Sequence, residues 1–239
     1  SGTGTLALDT CTLTAGNLYP KKITADAASV TCSDYFGVST NTDLTVSSGS
    51  ALAVICRRLQ LNSVTATSPN WSVTFVGDLA SRTIKLGSGE LHDVTLNMTD
   101  DATDIQHLGQ NTTIGGNLTI TSGVLDTNEN SGDNFSLTVT GCVSGAGTLT
   151  TNASEVSFGY LTMTGTYNAT TNSNGTILTD RSGPSAQLLM DAADIVHNDG
   201  LFVFKGSSGG SSYIALNGTS GGVNGLYKVE INASGRTVN

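Results

Sequence analysis

Charge is what this sequence has least of. Asp, Glu, Lys and Arg make up 12% of its 239 residues, about half the ~25% of an average soluble domain. Bases are scarcer than acids, ten against nineteen, for a formal net charge of −9. Phosphate backbones are held by clustered Lys and Arg. The only basic doublets are Lys21-Lys22 and Arg57-Arg58, so no nucleic-acid partner is expected. Aromatic residues are 5% of the chain, too few for one large aromatic core. Apolar runs never approach the ~20 residues a membrane helix needs, so no membrane span is expected either. Helix-forming clusters are nearly absent. The best is the short stretch SAQLLMDAADI at residues 185–195. Proline occurs three times. Disordered chains pair low hydrophobicity with high net charge and are often rich in Pro, Glu and Lys; this chain does not, and an ordered fold is expected.

The space is filled by Thr, Ser, Asn and 29 glycines. Thr, Val, Ile and Leu alternate over four to six residues before Gly, Asn, Ser or Asp interrupts, which is the pattern of short strands and turns. Apolar-Thr-apolar cores recur at Leu44-Thr45-Val46, Val73-Thr74-Phe75, Val94-Thr95-Leu96, Leu118-Thr119-Ile120, Leu137-Thr138-Val139 and Leu161-Thr162-Met163. From Val73 onward their spacings are 21, 24, 19 and 24. A period near 20 signals stacked repeats. The fold expected is all-β: short strands stacked as a parallel β-helix or β-solenoid, each turn burying one apolar face against the next. One or two β-sandwiches are the alternative, disfavoured because no aromatic recurs in step with the repeat and the lone Trp71 sits in a polar SPNWS context.

Residues 1–100 read as a divergent β region that caps or docks, and 101–239 as the β-repeat region. The last residues, Ile231-Asn232-Ala233-Ser234-Gly235-Arg236-Thr237-Val238-Asn239, read as stopping inside a strand, so the repeats are expected to continue in a longer chain. Cys11, Cys32, Cys56 and Cys142 form no C-x-x-C pair, which argues against a zinc knuckle or a thioredoxin-type site. They are read as buried thiols or as two disulfides with three possible connectivities.

The stretch Asn111-Thr112-Thr113-Ile114-Gly115-Gly116-Asn117-Leu118-Thr119-Ile120 resembles the repeats of phage fibre proteins and of long bacterial surface and adhesin proteins. So does the tail, with Gly225-Leu226-Tyr227-Lys228-Val229-Glu230-Ile231 followed by Asn232-Ala233-Ser234-Gly235-Arg236-Thr237-Val238. The resemblance covers residues 111–239. It implies a β-solenoid and a setting on a virion or cell surface, and brings no catalytic residue with it.

Four kinds of chemistry can be weighed against plain structural readings. Parallel β-helices that cleave polysaccharides use carboxylates facing each other across a groove, ~5–10 Å apart. Asp100, Asp101 and Asp104, or Asp191 and Asp194 with His197, are the candidates, but no aromatic platform or basic residue accompanies them. They read as solvated turn carboxylates, and no catalytic residue is assigned. Asp126, Asn128, Asn130 and Asp133 place oxygens like the start of a calcium loop. The Gly falls one position late and Leu137 stands where an acidic ligand belongs, so an Asn/Asp/Gly turn is the plainer reading and calcium the only cofactor to consider. Tyr19, Tyr35, Phe36 and Trp71 are the aromatic residues a glycan-binding module would need. Asn-x-Ser/Thr sites at Asn70, Asn97, Asn111, Asn117, Asn134, Asn152, Asn168, Asn174, Asn217 and Asn232 follow from composition. The expectation is a non-enzymatic, extracellular or virion structural protein: a rigid β scaffold of a fibre, spike stem or surface layer. Its partners would be itself or other structural subunits. A module binding surface glycans is the alternative, and a tailspike-like polysaccharide-degrading enzyme a second.

Overall fold

The structure, a computed structural model, describes residues 5–8, 11–18, 22–25, 28–36, 43–46, 52–61, 63–66, 71–77, 81–85, 89–99, 103–179, 188–191, 194–206, 211–212, 214–217, 226–233 and 237–238. Among them there are strands and turns but no helix, and no helix long and apolar enough to cross a membrane. The residues read as a helix candidate hold two strands instead, Leu188–Asp191 and Asp194–Val196. Leu188 stacks on Leu161 of the preceding turn, and a buried neighbour overrides weak helix propensity.

Every registered strand pair is parallel, and the chain winds as a parallel β-solenoid. Sandwiches pair their strands antiparallel, so the alternative architecture is set aside. Each turn presents three faces. The first begins as a 4-stranded sheet, Thr5–Leu8, Lys22–Ala25, Asp43–Val46 and Ser63–Ala66. It resumes through the Leu91 to Ile114 bridge and Thr112–Ile114. The second face runs from Thr12–Ala15 through Ala28–Cys32, Leu52–Cys56, Trp71–Gly77, Asp93–Met98 and Leu118–Ser122. The third is an 8-stranded sheet from Tyr35–Phe36 to Asp194–Val196. Two long strands, Leu137–Gly145 and Val156–Met163, cross the corner without a break and serve the first and second faces in one stretch. Pairing is continuous past residue 100, since Asp93–Met98 binds strands on both sides.

The core follows from period two in the strands. Trp71–Gly77 alternates buried and half-buried residues, and Leu52–Cys56 alternates buried and exposed ones. On the second face the inward column Val30, Val54, Val73, Val94, Leu118, Val143, Leu161 is stacked residue on residue. Phe36, Leu59, Ile84 and Leu108 form the column of the third. Trp71 is 1% exposed, inside this core. Its polar sequence context does not foretell this burial.

The repeat motifs sort less simply than their spacing suggests. Leu44-Thr45-Val46 lies on the first face. Leu118 pairs with Val143, while Leu137 pairs with Thr112. The insertion at residues 127–136 and the corner-crossing strand displace the motif by part of a turn.

Asn and Asp close the corners. Asp93 Oδ1 accepts the Asn117 amide (2.8 Å), and Asn117 Oδ1 accepts the Cys142 amide (2.9 Å). Asn111 does the same for Ser136 (2.9 Å), Asn134 for Ala153 (3.1 Å) and Asn17 for Tyr35 (3.0 Å). Each short side chain takes an N–H of the following turn that the ladder misses at the bend. Gly116, Gly141 and Gly159 stack at one such corner. There a Cβ on Gly141 would come within 2.5 Å of the Gly116 carbonyl and one on Gly159 within 2.6 Å of that of Gly141.

Candidate functional surface

The second face carries the most regular surface of the molecule. The residues one step from its inward column point outward, and register joins them across the turns: Thr14 to Thr31, Thr31 to Ile55, Ile55 to Thr74, Thr74 to Thr95, Thr95 to Thr119, Thr119 to Ser144, Ser144 to Thr162. Adjacent strands are ~4.8 Å apart, so hydroxyls and methyls repeat at that interval along the axis. Ile55, 37% exposed, is the single alkyl step. Thr suits this place because its β-branched side chain packs well on a pleated sheet. A ladder of uncharged hydroxyls can accept and donate hydrogen bonds. It holds no group that could take or give a proton near neutral pH.

On the first face, Ser136, Thr138, Glu155, Ser157, Asn174 and Ile177 border a shallow hollow. Asn174 Nδ2 donates to Glu155 Oε1 across it (2.8 Å). One carboxylate, already bonded, lines it.

The four residues of the calcium-type loop are divided into two pairs. Asp126 ends the strand Val124–Asp126, and its Oδ1 accepts the Asn128 amide (2.9 Å) and Asn152 Nδ2 (2.6 Å). Asn130 Nδ2 donates to Asp133 Oδ2 (3.0 Å), and the Asp133 amide to the Asn130 carbonyl (3.0 Å). The Asn128 carbonyl lies against His107 Nδ1, while the Asn128 side-chain oxygen is buried with no hydrogen-bond partner. Glu129, within the loop, is held by the Thr83 hydroxyl (2.8 Å) and by Lys85 (3.2 Å). Among the described residues, no three of His, Cys, Asp and Glu come together to hold a metal.

The carboxylate candidates are only partly described. Asp100 and Asp101 lie outside the described residues. Asp104 is buried, 2% exposed, where the chain enters Ile105–Leu108. Asp191 ends its strand on the second face, and Asp194, itself exposed, begins the strand Asp194–Val196 on the third, whose Ile195 is buried. His197 accepts the Asp199 amide at Nδ1 (3.0 Å) and stacks on Tyr227.

Of the aromatic residues considered for glycan binding, Phe36 and Trp71 are core residues, 0% and 1% exposed. Both sit at inward positions of their strands and cannot form a glycan platform. Tyr35 is half-buried under the Arg58 guanidinium, 4.5 Å above its ring, and Arg58 also pairs with Asp34 (3.2 Å). Tyr19 lies outside the described residues. Among the described residues the exposed aromatic is Tyr227, 53% exposed, which was not among the residues considered for glycan binding.

No family model, curated protein or solved structure matches the chain.

Proposed function

We propose that this protein is a rigid, non-catalytic scaffold of a virion or cell surface, serving as fibre, spike stem or surface layer outside the cell. The observation that carries this reading is the parallel stacking of turn on turn. The second face stays parallel from Thr12–Ala15 to Val156–Met163, its register shifting between Leu96 and Asn97 and between Val139 and Cys142, and its outward surface is a hydroxyl ladder. Main-chain hydrogen bonds between turns and a thin aliphatic core give stiffness along one axis. Partners are further copies or other structural subunits. Val229 and Ile231, 45% and 54% exposed on the strand Lys228–Ala233, offer an apolar edge of the kind that stacked strands cover.

A second reading, a module binding surface glycans, is favoured by the same hydroxyl ladder, which matches the hydrogen-bonding chemistry of sugars. Electron imaging of the native particle or filament separates these readings. Copies at regular fibre or lattice positions support the scaffold. A free monomer that binds or cleaves a polysaccharide overturns it.

A further inference from the structure

We infer that Cys32 and Cys56 are the partners of one disulfide, which ties two successive turns of the solenoid together. Cys32 ends the strand Ala28–Cys32 and Cys56 ends Leu52–Cys56. These strands are paired in register from Ala28 opposite Leu52 to Thr31 opposite Ile55. One step further, Cys32 stands opposite Cys56. Both side chains face the core, 1% and 0% exposed, between Ala15 of the turn before and Phe75 of the turn after. Adjacent strands lie ~4.8 Å apart, inside the ~4.4–6.8 Å window of Cα separations that a disulfide spans. The Cβ atoms, at about the same spacing, are slightly beyond their usual ~3.5–4.5 Å, so closure draws the two turns together locally. The proximity registers electrostatically as well: the Cys56 thiol is pushed up by burial first and by Cys32 second.

The other pairings fail on position. Cys11 is exposed and precedes the strand Thr12–Ala15, which puts it opposite Ala28, four residues along the strand from Cys32. Cys142 lies several turns away with its sulfur against the Thr162 hydroxyl (3.1 Å). Four cysteines allow three connectivities that use all of them. The fold accommodates none in full, and leaves Cys11 and Cys142 as single thiols.

The bond forms by exchange with a disulfide oxidant such as oxidised glutathione or a protein disulfide. One cysteine thiolate attacks the oxidant's S–S bond and releases one thiol. The other cysteine displaces the second, closing Cys32–Cys56. Two electrons pass to the oxidant, and the two thiol protons end on the two released thiols. Burial raises Cys32 to about 11, so thiolate is scarce in the finished core. Closure therefore belongs to folding, while these turns are still open.

The test uses the full chain carrying Cys11→Ser and Cys142→Ser, unfolded and then refolded with or without oxidised glutathione. Expected is a monomer that has lost two hydrogens and resists alkylation. It yields a Cys32–Cys56 linked peptide and melts several degrees above the same protein reduced, since the link restricts the unfolded chain. Free thiols or glutathione adducts in the folded monomer overturn the pairing. In the unsubstituted chain refolded in parallel, an intrachain link through Cys11 or Cys142 overturns it too. Closure as fast in the already folded protein as during refolding overturns the folding-coupled step.

Discussion

Tyr167 carries a hydroxyl into the middle of the solenoid. It reaches from the third face to Phe158 and Phe202 of the first, edge-on at 6.2 and 6.1 Å, and its OH bonds Thr176 at 2.6 Å. Tyr167→Phe keeps the packing and strands one buried hydroxyl, and is expected to cost ~1–3 kcal/mol in denaturant unfolding. The same burial sets a pH limit. Tyr167 is pushed up to about 12 from 10.0, and Cys32 to about 11 from 9.0, both by desolvation. The unfolded chain releases these protons first, so it binds fewer protons than the native state and stability falls as pH rises. Stability from these groups is complete below about pH 9 and is lost as pH climbs through 11 and 12. Urea midpoints from pH 7 to 11.5 under reducing conditions, if flat throughout, would refute this. Gly145 is a backbone constraint of a different kind. It has φ 117°, and a Cβ there would sit 2.1 Å from the Ile120 carbonyl oxygen. Gly145→Ala is expected to lose at least ~1–3 kcal/mol from the unfavourable φ alone.

At the scale of elements, alternation makes inward and outward neighbours unequal. Leu118→Ala opens a cavity in a stacked column and is expected to cost ~2–5 kcal/mol. Thr119→Ala, one residue on and facing outward, is expected to cost well under ~1 kcal/mol. Equal losses at the two positions in chemical denaturation would contradict the assigned faces. The loop at residues 127–136 is closed by its own side chains: Asp126 caps Asn128 and Asn152, and Asn130 bonds Asp133. EDTA is accordingly expected to leave the thermal midpoint unchanged. A clear drop on chelation, restored by calcium, would return that loop to the list of metal sites.

At the scale of the molecule, turns contact mainly their neighbours, so protection should be graded along the axis. Amides of Leu118–Ser122, Leu137–Gly145 and Val156–Met163 have paired strands on both sides, whereas among the described residues the strand Lys228–Ala233 pairs with Leu201–Gly206 alone. Hydrogen exchange is expected to be slowest in the former and fastest in the latter. Much of this architecture was legible beforehand. Two-residue alternation, a period near 20 and scarce charge determine an all-β stack with a thin aliphatic core, because only stacking buries so small an apolar face. Asn and Gly between the runs mark the corners. Tertiary structure alone decided the phase. One inserted loop and two corner-crossing strands moved Leu137 onto the first face and Val143 beneath Leu161, a slip that local composition does not encode. It also decided that Trp71 and Phe36 are core, that Leu188–Asp191 is a strand, and that Cys32 meets Cys56. Each of these depends on which residue of the next turn lies ~4.8 Å away, some twenty residues distant along the chain.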